Sequence, residues 1–504
     1  MKFLIFLILS SVPFGSVLAQ KKPDYKERYR PRFHFSPAAN WMNDPNGLIY
    51  FNHQYHLFYQ HNPYANRWGH MSWGHAVSPD LVHWKHLPLA IPEAKRTMIF
   101  SGSAVFDQDN SSGFGKQGHL PLVAVYTGFY VPDSTRPDQS IQYQNLAYSL
   151  NEGVSWTQYA GNPVLDLRRK DFRDPFTFWY GPQKKWIMAT VWPREHMVKF
   201  FESHNLKDWK PTGEFGPAGD TSEIWECPAL TQVPVEGNPS QKKWVLFNSQ
   251  QTTMQYFVGD FDGNHFISEM EPGNILRPDY GPDFYAGVTY NNLPVNQLPV
   301  LLGWANNWSY ANDIPTDPWK SMMGMPRQLS LKRTAMGWRL LQRPPKAMAT
   351  LRGTHWDAQS LSVEGNKFLP VRSIQAEIHI QWNPSPNTKS GILLAQGQQQ
   401  YLQIGFDTRN QKVFVDRQFA GDTSFNAAFA RLTRYEGPVD LQNGRLDLDI
   451  FIDHSIVEIF ANHGELVMTT QIFPDPSNDG ITLFSNGGKN SFSKIDFWQM
   501  RSAW

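Results

Sequence analysis

Three acidic residues far apart in the chain share one local context. Asp44 and Asp174 each precede a proline, and Glu226 stands one residue earlier, in Glu226-Cys227-Pro228. Proline fixes φ and an acid can bond its own backbone, so each segment predicts a rigid turn at a strand entrance. Carboxylates brought together suit glycoside hydrolysis, in which one acid attacks or directs water and another protonates the leaving oxygen. The same three groups also suit a Ca²⁺ site, so two chemistries stay open.

A second set of residues with metal-binding chemistry is the histidines of residues 53–86. They are His53, His56, His61, His70, His75, His83 and His86. The ligand spacing of zinc sites is not found among them. Residues three apart on a strand also point to opposite faces. We therefore expect no histidine metal site.

The elements that must position the acids are short strands. Alternating apolar and polar runs, bounded by Gly, Pro, Asn and Asp, recur along the chain and predict an all-β protein. A turn at residues 78–84, with Ser at its start and Trp at its end, is echoed at 203–209 and, with one insertion, at 149–156. Residues 259–266 resemble a degraded fourth copy. Repeats of this size built from short strands are typical of propeller blades.

The strand groups indicate five blades. They cover residues 40–90, 98–160, 172–213, 224–270 and 283–342. We predict a five-bladed β-propeller as the catalytic domain, over residues 30–345. Asp44, Asp174 and Glu226 then open the first, third and fourth blades. Equivalent positions on innermost strands face the central channel, so the three acids are expected to converge.

The proline pair Pro344-Pro345 predicts a boundary between two domains. Residues 353–504 carry another set of short strands with turns between them, which predicts a C-terminal β-sandwich. No catalytic cluster stands out in this half.

Charge and the first residues restrict the class of protein. The 46 basic and 45 acidic residues give a net charge of +1, which argues against nucleic acid and anionic membranes as partners. Residues 1–19 have the charged start, apolar run and small-residue end of a signal peptide. We therefore expect an exported protein, periplasmic or extracellular, without a membrane span. The single cysteine, Cys227, excludes an intramolecular disulfide and favours a bacterial origin.

The segments around the three acids resemble the signature boxes of glycoside hydrolase family 32, the β-fructosidases that include invertases, inulinases and levanases. Further boxes fit in order: Phe58-Tyr59-Gln60-His61-Asn62-Pro63, Trp68-Gly69, Trp73-Gly74-His75-Ala76, Phe100-Ser101-Gly102-Ser103, Asn307-Trp308-Ser309-Tyr310, Pro326-Arg327 and residues 450–460. The resemblance covers roughly residues 30–500. It implies a five-bladed propeller joined to a β-sandwich, in agreement with the strand groups.

The resemblance implies a retaining mechanism with one role for each acid. Asp44 would be the nucleophile that attacks the anomeric C2 of fructose. Glu226 would be the general acid and then the base for water. Asp174 would hold the 3- and 4-hydroxyls and stabilise the transition state. Retention predicts that the carboxyl groups of Asp44 and Glu226 lie about 5–5.5 Å apart. No metal or organic cofactor is implied.

The resemblance also implies the substrate-binding residues, which are Trp41, Met42, Asn43, Gln60, Trp68, Phe100, Ser101, Arg173 and Trp308. A propeller channel closed at one end makes a pocket, so we expect release of terminal β-D-fructofuranosyl residues from levan or inulin and from sucrose. An endo-acting levanase and a sucrose-preferring invertase are alternatives within the same chemistry. A non-catalytic carbohydrate-binding propeller is the alternative from another class, and it predicts loss of at least one acid. We expect a monomer or homodimer.

Overall fold

The computed structural model describes residues 25–133, 135–271, 273–334 and 337–504. The predicted signal peptide, residues 1–19, lies outside the described residues. Regular structure within these ranges is almost entirely β, and the helical elements are short: Pro137–Gln139, Gly181–Gln183, Lys346–Leu351 and Ala427–Arg431. None of the described helices is long and apolar enough to cross a membrane.

Five antiparallel groups of strands form the first half of the chain. The first blade has β1 (Asn40–Phe51), β2 (Gln54–Asn62), β3 (Ser72–Ser78) and β4 (Lys85–Ile91). The second has β5 (Thr97–Phe106), β6 (Leu122–Tyr130), β7 (Ile141–Ser149), β8 (Thr157–Gln158) and β9 (Leu165–Arg169). The third has β10 (Arg173–Tyr180), β11 (Lys185–Trp192), β12 (Met197–Ser203) and β13 (Lys210–Phe215).

The last two blades complete the ring. The fourth has β14 (Trp225–Val235), β15 (Asn238–Gln250), β16 (Thr253–Phe261) and β17 (Phe266–Ser268). The remaining strands are β18 (Tyr285–Thr289), β19 (Val300–Trp304), β20 (Trp319–Lys320), β21 (Arg327–Thr334) and β22 (Gly337–Arg343). All of these except β20 form the fifth blade, whereas β20 pairs in parallel with β1 of the first blade and so closes the ring. The five-bladed β-propeller is confirmed.

The repeated turn seen in the sequence joins the third and fourth strands of the first three blades. In each copy the indole Nε1 donates to the carbonyl three residues earlier, at 3.2, 2.9 and 2.9 Å: Trp84 to Leu81, Trp156 to Gly153 and Trp209 to Leu206. Residues 259–266 occupy the same place in the fourth blade without the tryptophan. The repeat therefore occurs once in each of these blades, in agreement with its interpretation as a sign of propeller blades.

Every innermost strand carries a β-bulge near its start. Two residues there oppose one residue of the second strand: Asn43-Asp44, Phe100-Ser101, Asp174-Pro175, Cys227-Pro228 and Ala286-Gly287. A bulge interrupts the pleat and re-aims the side chains that follow from it. The backbone is left-handed at three of these positions, with φ of 61°, 48° and 52° at Asp174, Cys227 and Ala286.

The second half of the chain is a β-sandwich, as predicted. Its strands are β23 (Arg352–Arg372), β24 (Gln375–Asn383), β25 (Lys389–Gln396), β26 (Tyr401–Asp407), β27 (Lys412–Phe419), β28 (Arg434–Pro438), β29 (Leu446–Asp453), β30 (Ile456–Ala461), β31 (Leu466–Gln471) and β32 (Gly480–Met500). The first half of β32 pairs with β25 and the second half with β24. Gly487 and Gly488, at φ of 90° and 153°, lie where β32 passes from one layer to the other.

Polar and apolar contacts join the two domains. Arg327 and Asp279 belong to the propeller, and the Arg327 guanidinium lies 2.8 Å from Asp279 Oδ2. It also lies 2.8 Å from Thr469 Oγ1, which belongs to the sandwich. Phe33 and Met325 pack in one apolar cluster with Phe451 and Phe460. A buried charge stripped of its partner is strongly destabilising, so these contacts fix the two domains against each other.

Candidate active site

A cavity of about 340 Å³ lies where the innermost propeller strands begin. Its lining contains the three acids and seven of the predicted binding residues: Asn43, Gln60, Trp68, Phe100, Ser101, Arg173 and Trp308. The rings of Trp68, Phe100 and Trp308 form apolar walls, whereas the carboxyl, amide and hydroxyl groups come from the bulges and the strands beside them. The volume is at the lower end of the range of small-molecule sites, about 300–1,000 Å³.

The other two predicted binding residues, Trp41 and Met42, do not line this cavity. Both are fully buried, and they are the two residues of β1 that immediately precede its bulge. The Trp41 indole donates to Asn43 Oδ1 at 2.7 Å, and its ring stacks on Trp308 at 6.1 Å between centroids. Met42 packs in an apolar cluster with residues such as Leu57. They support the cavity wall from behind.

Asp44 is the second residue of the first bulge, and its carboxylate is held on both oxygens. Oδ1 accepts from Asn43 Nδ2 at 3.0 Å and Oδ2 accepts from Ser101 Oγ at 2.7 Å. Ser101 has the same place in the second bulge, so neighbouring blades share this contact. Only 9 % of Asp44 is exposed. These bonds fix the carboxylate and favour its ionised form.

Asp174 is the first residue of the third bulge and is reached from both neighbouring blades. Its backbone N–H donates to Thr127 Oγ1 at 3.0 Å. Its Oδ2 accepts from the Cys227 N–H at 2.9 Å, and the Cys227 sulfur lies 3.7 Å from the same oxygen. That sulfur is also 3.6 Å from Asp44 Oδ2. Cys227, which the sequence suggests is a small buried filler, therefore lies between two of the acids.

Glu226 stands immediately before the fourth bulge, and each of its oxygens has one partner. Arg173 donates to Oε1 from Nε at 3.1 Å and from Nη2 at 2.9 Å. Tyr285 donates its hydroxyl hydrogen to Oε2. The Arg173 fork therefore faces Glu226, whereas its Nε is 3.9 Å from Asp174 Oδ2.

The three acids converge, but from three different offsets relative to the bulge. Asp44 is its second residue, Asp174 its first, and Glu226 precedes it. The expectation of strictly equivalent positions is therefore wrong in detail. Because each bulge breaks the alternation of the pleat, neighbouring residues on either side of it can reach the same cavity.

Four residues at or beside the cavity were not predicted as site residues. Ile224 and Gln251 line it, and Cys227 and Tyr285 contact the acids. Ile224 precedes the Trp-Glu-Cys-Pro segment, which is the only signal the sequence offers for it. Tyr285 opens the fifth blade, and its place at the fifth bulge could have been found by aligning all five innermost strands.

The histidine-rich stretch makes pair contacts instead of a metal cluster. His56 Nδ1 lies 3.1 Å from His75 Nε2, and His61 Nδ1 lies 2.7 Å from the Trp41 carbonyl oxygen. Burial lowers the pKa of His56 and of His61 to about 4, so both rings are neutral at pH 7.

One trio of potential metal donors occurs among the described residues, and it lies in the sandwich, away from the acids: His379, Asp447 and Asp449. His379 Nδ1 is 2.7 Å from Asp449 Oδ1 and 3.4 Å from Asp447 Oδ1. A protonated imidazole accounts for both contacts. The three acids of the cavity form no such trio.

The chain matches two family models in tandem. Residues 34–344 match the N-terminal domain of the glycosyl hydrolases family 32, and residues 347–499 match the C-terminal domain of the same family. The chain belongs to glycoside hydrolase family 32.

Relatives of this family 32 protein carry names that describe fructan hydrolysis. It is 42 % identical to a levanase of Bacillus subtilis over 99 % of this chain and 74 % of that protein. It is 38 % identical to an extracellular exo-inulinase of Aspergillus awamori, over 95 % of this chain and 96 % of the other.

Solved structures agree with this membership. The crystal structure of the Aspergillus awamori exo-inulinase matches with a TM-score of 0.89 and 37 % identity, over 95 % of this chain and all of that one. A β-fructofuranosidase from Schwanniomyces occidentalis, complexed with fructosyl-erythritol, matches with a TM-score of 0.86 and 30 % identity, over 95 % and 99 % of the two chains.

The carboxyl groups of this family 32 enzyme differ in their electrostatic surroundings. Burial raises the pKa of Asp44, and the Glu226 charge adds to this, against the hydrogen bonds from Ser101 and Asn43. Burial also raises the pKa of Asp174; Arg173 opposes the rise, whereas Glu226 and Asp44 add to it. The charges of neighbouring carboxylates therefore add to the effect of burial at both Asp44 and Asp174.

Proposed function

We propose that this enzyme is an exo-acting, retaining β-fructofuranosidase, which releases terminal fructose from levan or inulin and from sucrose. One observation carries the proposal. Three carboxyl groups meet in a cavity of about 340 Å³, and only Glu226 is bound by an arginine and a tyrosine, whereas Asp44 accepts bonds from neutral donors. Two carboxyls with unlike surroundings suit the nucleophile and the acid/base of a retaining glycosidase.

In the first step, an oxygen of Asp44 attacks C2 of the terminal fructosyl unit. The bond between C2 and the glycosidic oxygen breaks, and Glu226 transfers its proton to that oxygen. The products are a fructosyl ester of Asp44 and the shortened chain, or glucose in the case of sucrose. Bonds from Asn43 and Ser101 pre-orient the attacking carboxylate, so little reorganisation is needed.

In the second step, Glu226 accepts a proton from water and the water oxygen attacks C2. The ester bond to Asp44 breaks, fructose leaves with the configuration of the substrate, and both acids return to their starting states. Microscopic reversibility requires one group for both proton transfers. Glu226 suits this role because Arg173 and Tyr285 fix its position while it gains and loses charge.

Asp174 suits the role of holding the sugar hydroxyls. It is 6 % exposed, it lines the cavity, and its Oδ2 contacts Cys227. Hydrogen bonds from the hydroxyls of a bound sugar favour the ionised form of Asp174. Asn43 and Gln60 can bond further hydroxyls, since both are amides at the cavity wall.

A cavity of this size favours a chain end over the middle of a chain. Exo action is also what the name of the Aspergillus awamori relative describes. An endo-acting levanase or a sucrose-preferring invertase uses the same chemistry and is the alternative within the family. We also propose that the protein is exported to the periplasm or the medium. Residues 1–19 resemble a signal peptide, and the Aspergillus awamori relative is named extracellular. We propose a monomer or homodimer as the working unit.

Digestion of levan, inulin and sucrose, with products followed over time, tests the proposal. We expect free fructose as the first product from each fructan. An early ladder of oligosaccharides would overturn exo action. Reaction in dilute methanol tests retention: methyl β-D-fructofuranoside is expected, and the α-anomer would exclude the double displacement.

Two variants test the roles. Asp44→Asn should lose the fructosyl ester step and fall by at least about 10³-fold in kcat. The matched control is Asp357→Asn, at an exposed position in the sandwich, which should keep full activity. Normal activity of the Asp44 variant would end the assignment of the nucleophile.

A further inference from the structure

A chain of contacts leads from the β-sandwich to the acid/base position: hydrogen bonds at Asp283 and at Tyr285 are joined by the backbone of residues 283–285. Its first link is Tyr285, which is 1 % exposed and donates to Glu226 Oε2. Burial and the Glu226 charge hold the pKa of Tyr285 well above its ordinary value. The phenol therefore stays protonated and acts as a hydrogen-bond donor to the carboxyl group at all working pH values.

The second link is Asp283, two residues before Tyr285 and fully buried. Two residues of the sandwich donate hydrogen bonds to it: its Oδ2 accepts from Arg417 Nη1 at 2.8 Å and from the Gln471 N–H at 2.8 Å. Its Oδ1 accepts from the Tyr310 hydroxyl at 2.5 Å. Arg417 and Gln471 belong to the sandwich, whereas Asp283 and Tyr310 belong to the propeller.

Arg417 is itself held rigidly in place. It is 1 % exposed, and its Nε donates to the Leu432 carbonyl at 2.9 Å. Its guanidinium carbon lies 3.9 Å from the centre of the Phe429 ring. Its Nη2 lies 3.2 Å from the Tyr310 oxygen. A buried charge with this many partners cannot shift without losing several bonds at once.

The same contacts reach the part of the cavity wall that Trp308 forms. Tyr310 follows Trp308 in one turn, and Asn307 in that turn donates to the Pro282 carbonyl at 2.8 Å. Trp308 lines the cavity. Arg417 thus touches, through Asp283 and Tyr310, the two segments that present Tyr285 and Trp308.

We infer that the β-sandwich takes part in catalysis: Arg417, through Asp283, positions Tyr285, and Tyr285 positions the Glu226 carboxyl for proton transfer. The inference rests on the proposed role of Glu226 as the acid/base. Tyr285, Asp283 and Arg417 are positioning residues, since none of them touches the substrate in the proposed mechanism.

The arrangement around Glu226 says which oxygen carries the proton. Both Arg173 bonds go to Oε1, so the transferable proton is placed on Oε2, beside Tyr285. The bond from the Tyr285 hydroxyl strengthens as Oε2 gains negative charge during transfer, which lowers the barrier of the first step. The other groups facing Glu226 are Asp44, Asp174 and Cys227.

The test compares two substrates that differ in their need for a proton. The glycosidic oxygen of sucrose must be protonated as it leaves, whereas β-D-fructofuranosyl fluoride releases fluoride, a stable anion that needs no proton. For Tyr285→Phe we expect kcat/KM on sucrose to fall roughly tenfold or more. On the fluoride we expect a fall of less than about threefold, since the nucleophile is untouched. A protein that is merely distorted would lose both activities in parallel.

The contribution of Arg417 in the sandwich, and of the contacts that hold Asp283 in the propeller, is tested in the same assay. Arg417→Lys keeps the charge but loses the fork, and Tyr310→Phe removes one bond to Asp283 with little change of volume. Both are expected to lower the ratio of sucrose to fluoride activity, in the same sense as Tyr285→Phe. Arg372→Lys is the matched control, because Arg372 is an exposed sandwich arginine paired with Asp479.

The outcomes separate this inference from the proposed function. If the unaltered enzyme cleaves neither substrate, the proposed function fails. If it cleaves both, and Tyr285→Phe lowers both equally, the positioning role of Tyr285 is overturned. If Arg417→Lys and Tyr310→Phe lower the melting temperature without changing the substrate ratio, the sandwich only stabilises the fold.

Discussion

Replacing Asp174 with Asn should stabilise the empty enzyme while it removes activity. Burial, with Glu226 and Asp44 nearby, raises the pKa of Asp174 to about 7 from 3.8. Above pH 7 Asp174 is ionised in the folded protein, and this buried charge lowers the free energy of unfolding. An asparagine is neutral, and its oxygen can still accept the Cys227 N–H bond that now measures 2.9 Å.

The magnitude follows from the difference in pKa. Between pH 4 and pH 7 the folded state binds more protons than the unfolded state, so stability falls as pH rises through this window. The shift from 3.8 to about 7 corresponds to at most about 4 kcal/mol, at about 1.4 kcal/mol per unit. Asp174→Asn removes this cost at pH 8 and changes little at pH 4.

Thermal unfolding followed by intrinsic fluorescence from pH 4 to pH 8.5 measures the effect. We expect the melting temperature of Asp174→Asn to exceed that of the parent by roughly 4–6 °C at pH 8, and to match it near pH 4. Asp357→Asn is the control, because that residue is exposed and should show no difference at either pH. Activity on sucrose should fall at least about 100-fold in the Asp174 variant, since the transition state loses a charged partner.

A difference in melting temperature between Asp174→Asn and the parent that does not vary with pH would refute the role given to the Asp174 charge. If Asp174→Asn is less stable than the parent at pH 8, attraction to Arg173 outweighs burial and the acid is ionised without cost. If it is stabilised equally at pH 4 and pH 8, the effect comes from packing and not from the carboxylate.

Three further predictions concern residues around the site and the His379 trio of the sandwich. Trp41→Phe removes the 2.7 Å bond to Asn43 Oδ1, which should raise KM for sucrose about fivefold with little change in unfolding temperature; an unchanged KM would mean that Asn43 keeps its orientation without the indole. Burial raises the pKa of the Cys227 thiol well above its usual value, so it should not react with a disulfide reagent at pH 8 until the protein is unfolded; fast labelling of the folded enzyme would show that the site opens. Dialysis against a chelator should leave both kcat and the melting temperature unchanged, because the His379 trio is explained as an ion pair; a lower melting temperature would point to a bound cation there.

Much of the organisation could be predicted from the sequence because it is written in local patterns. Short alternating runs and the repeated Trp-ended turn predict blades, and the turn has the same indole-to-carbonyl bond in three of them. The acid-proline segments mark the starts of innermost strands. The family boxes then predict the membership of family 32, which the family models bear out.

The direction of each side chain could not be predicted in the same way. Period-two alternation assigns faces only while the pleat is regular, and every innermost strand here has a bulge at the site. Trp41 and Met42 adjoin Asn43 in sequence, yet they lie behind the cavity wall. Arg173 adjoins Asp174, yet its fork binds Glu226.

The sequence by itself determined the fold class and the family and predicted three candidate acids, because local turn chemistry and ordered motifs carry that information. Only the tertiary structure decided which side chains bind and position those acids. Tyr285 is 59 positions from Glu226, and Arg417 is 134 positions from Asp283. Partners so distant meet through blade closure and domain packing, and neither leaves a periodic signal along the chain.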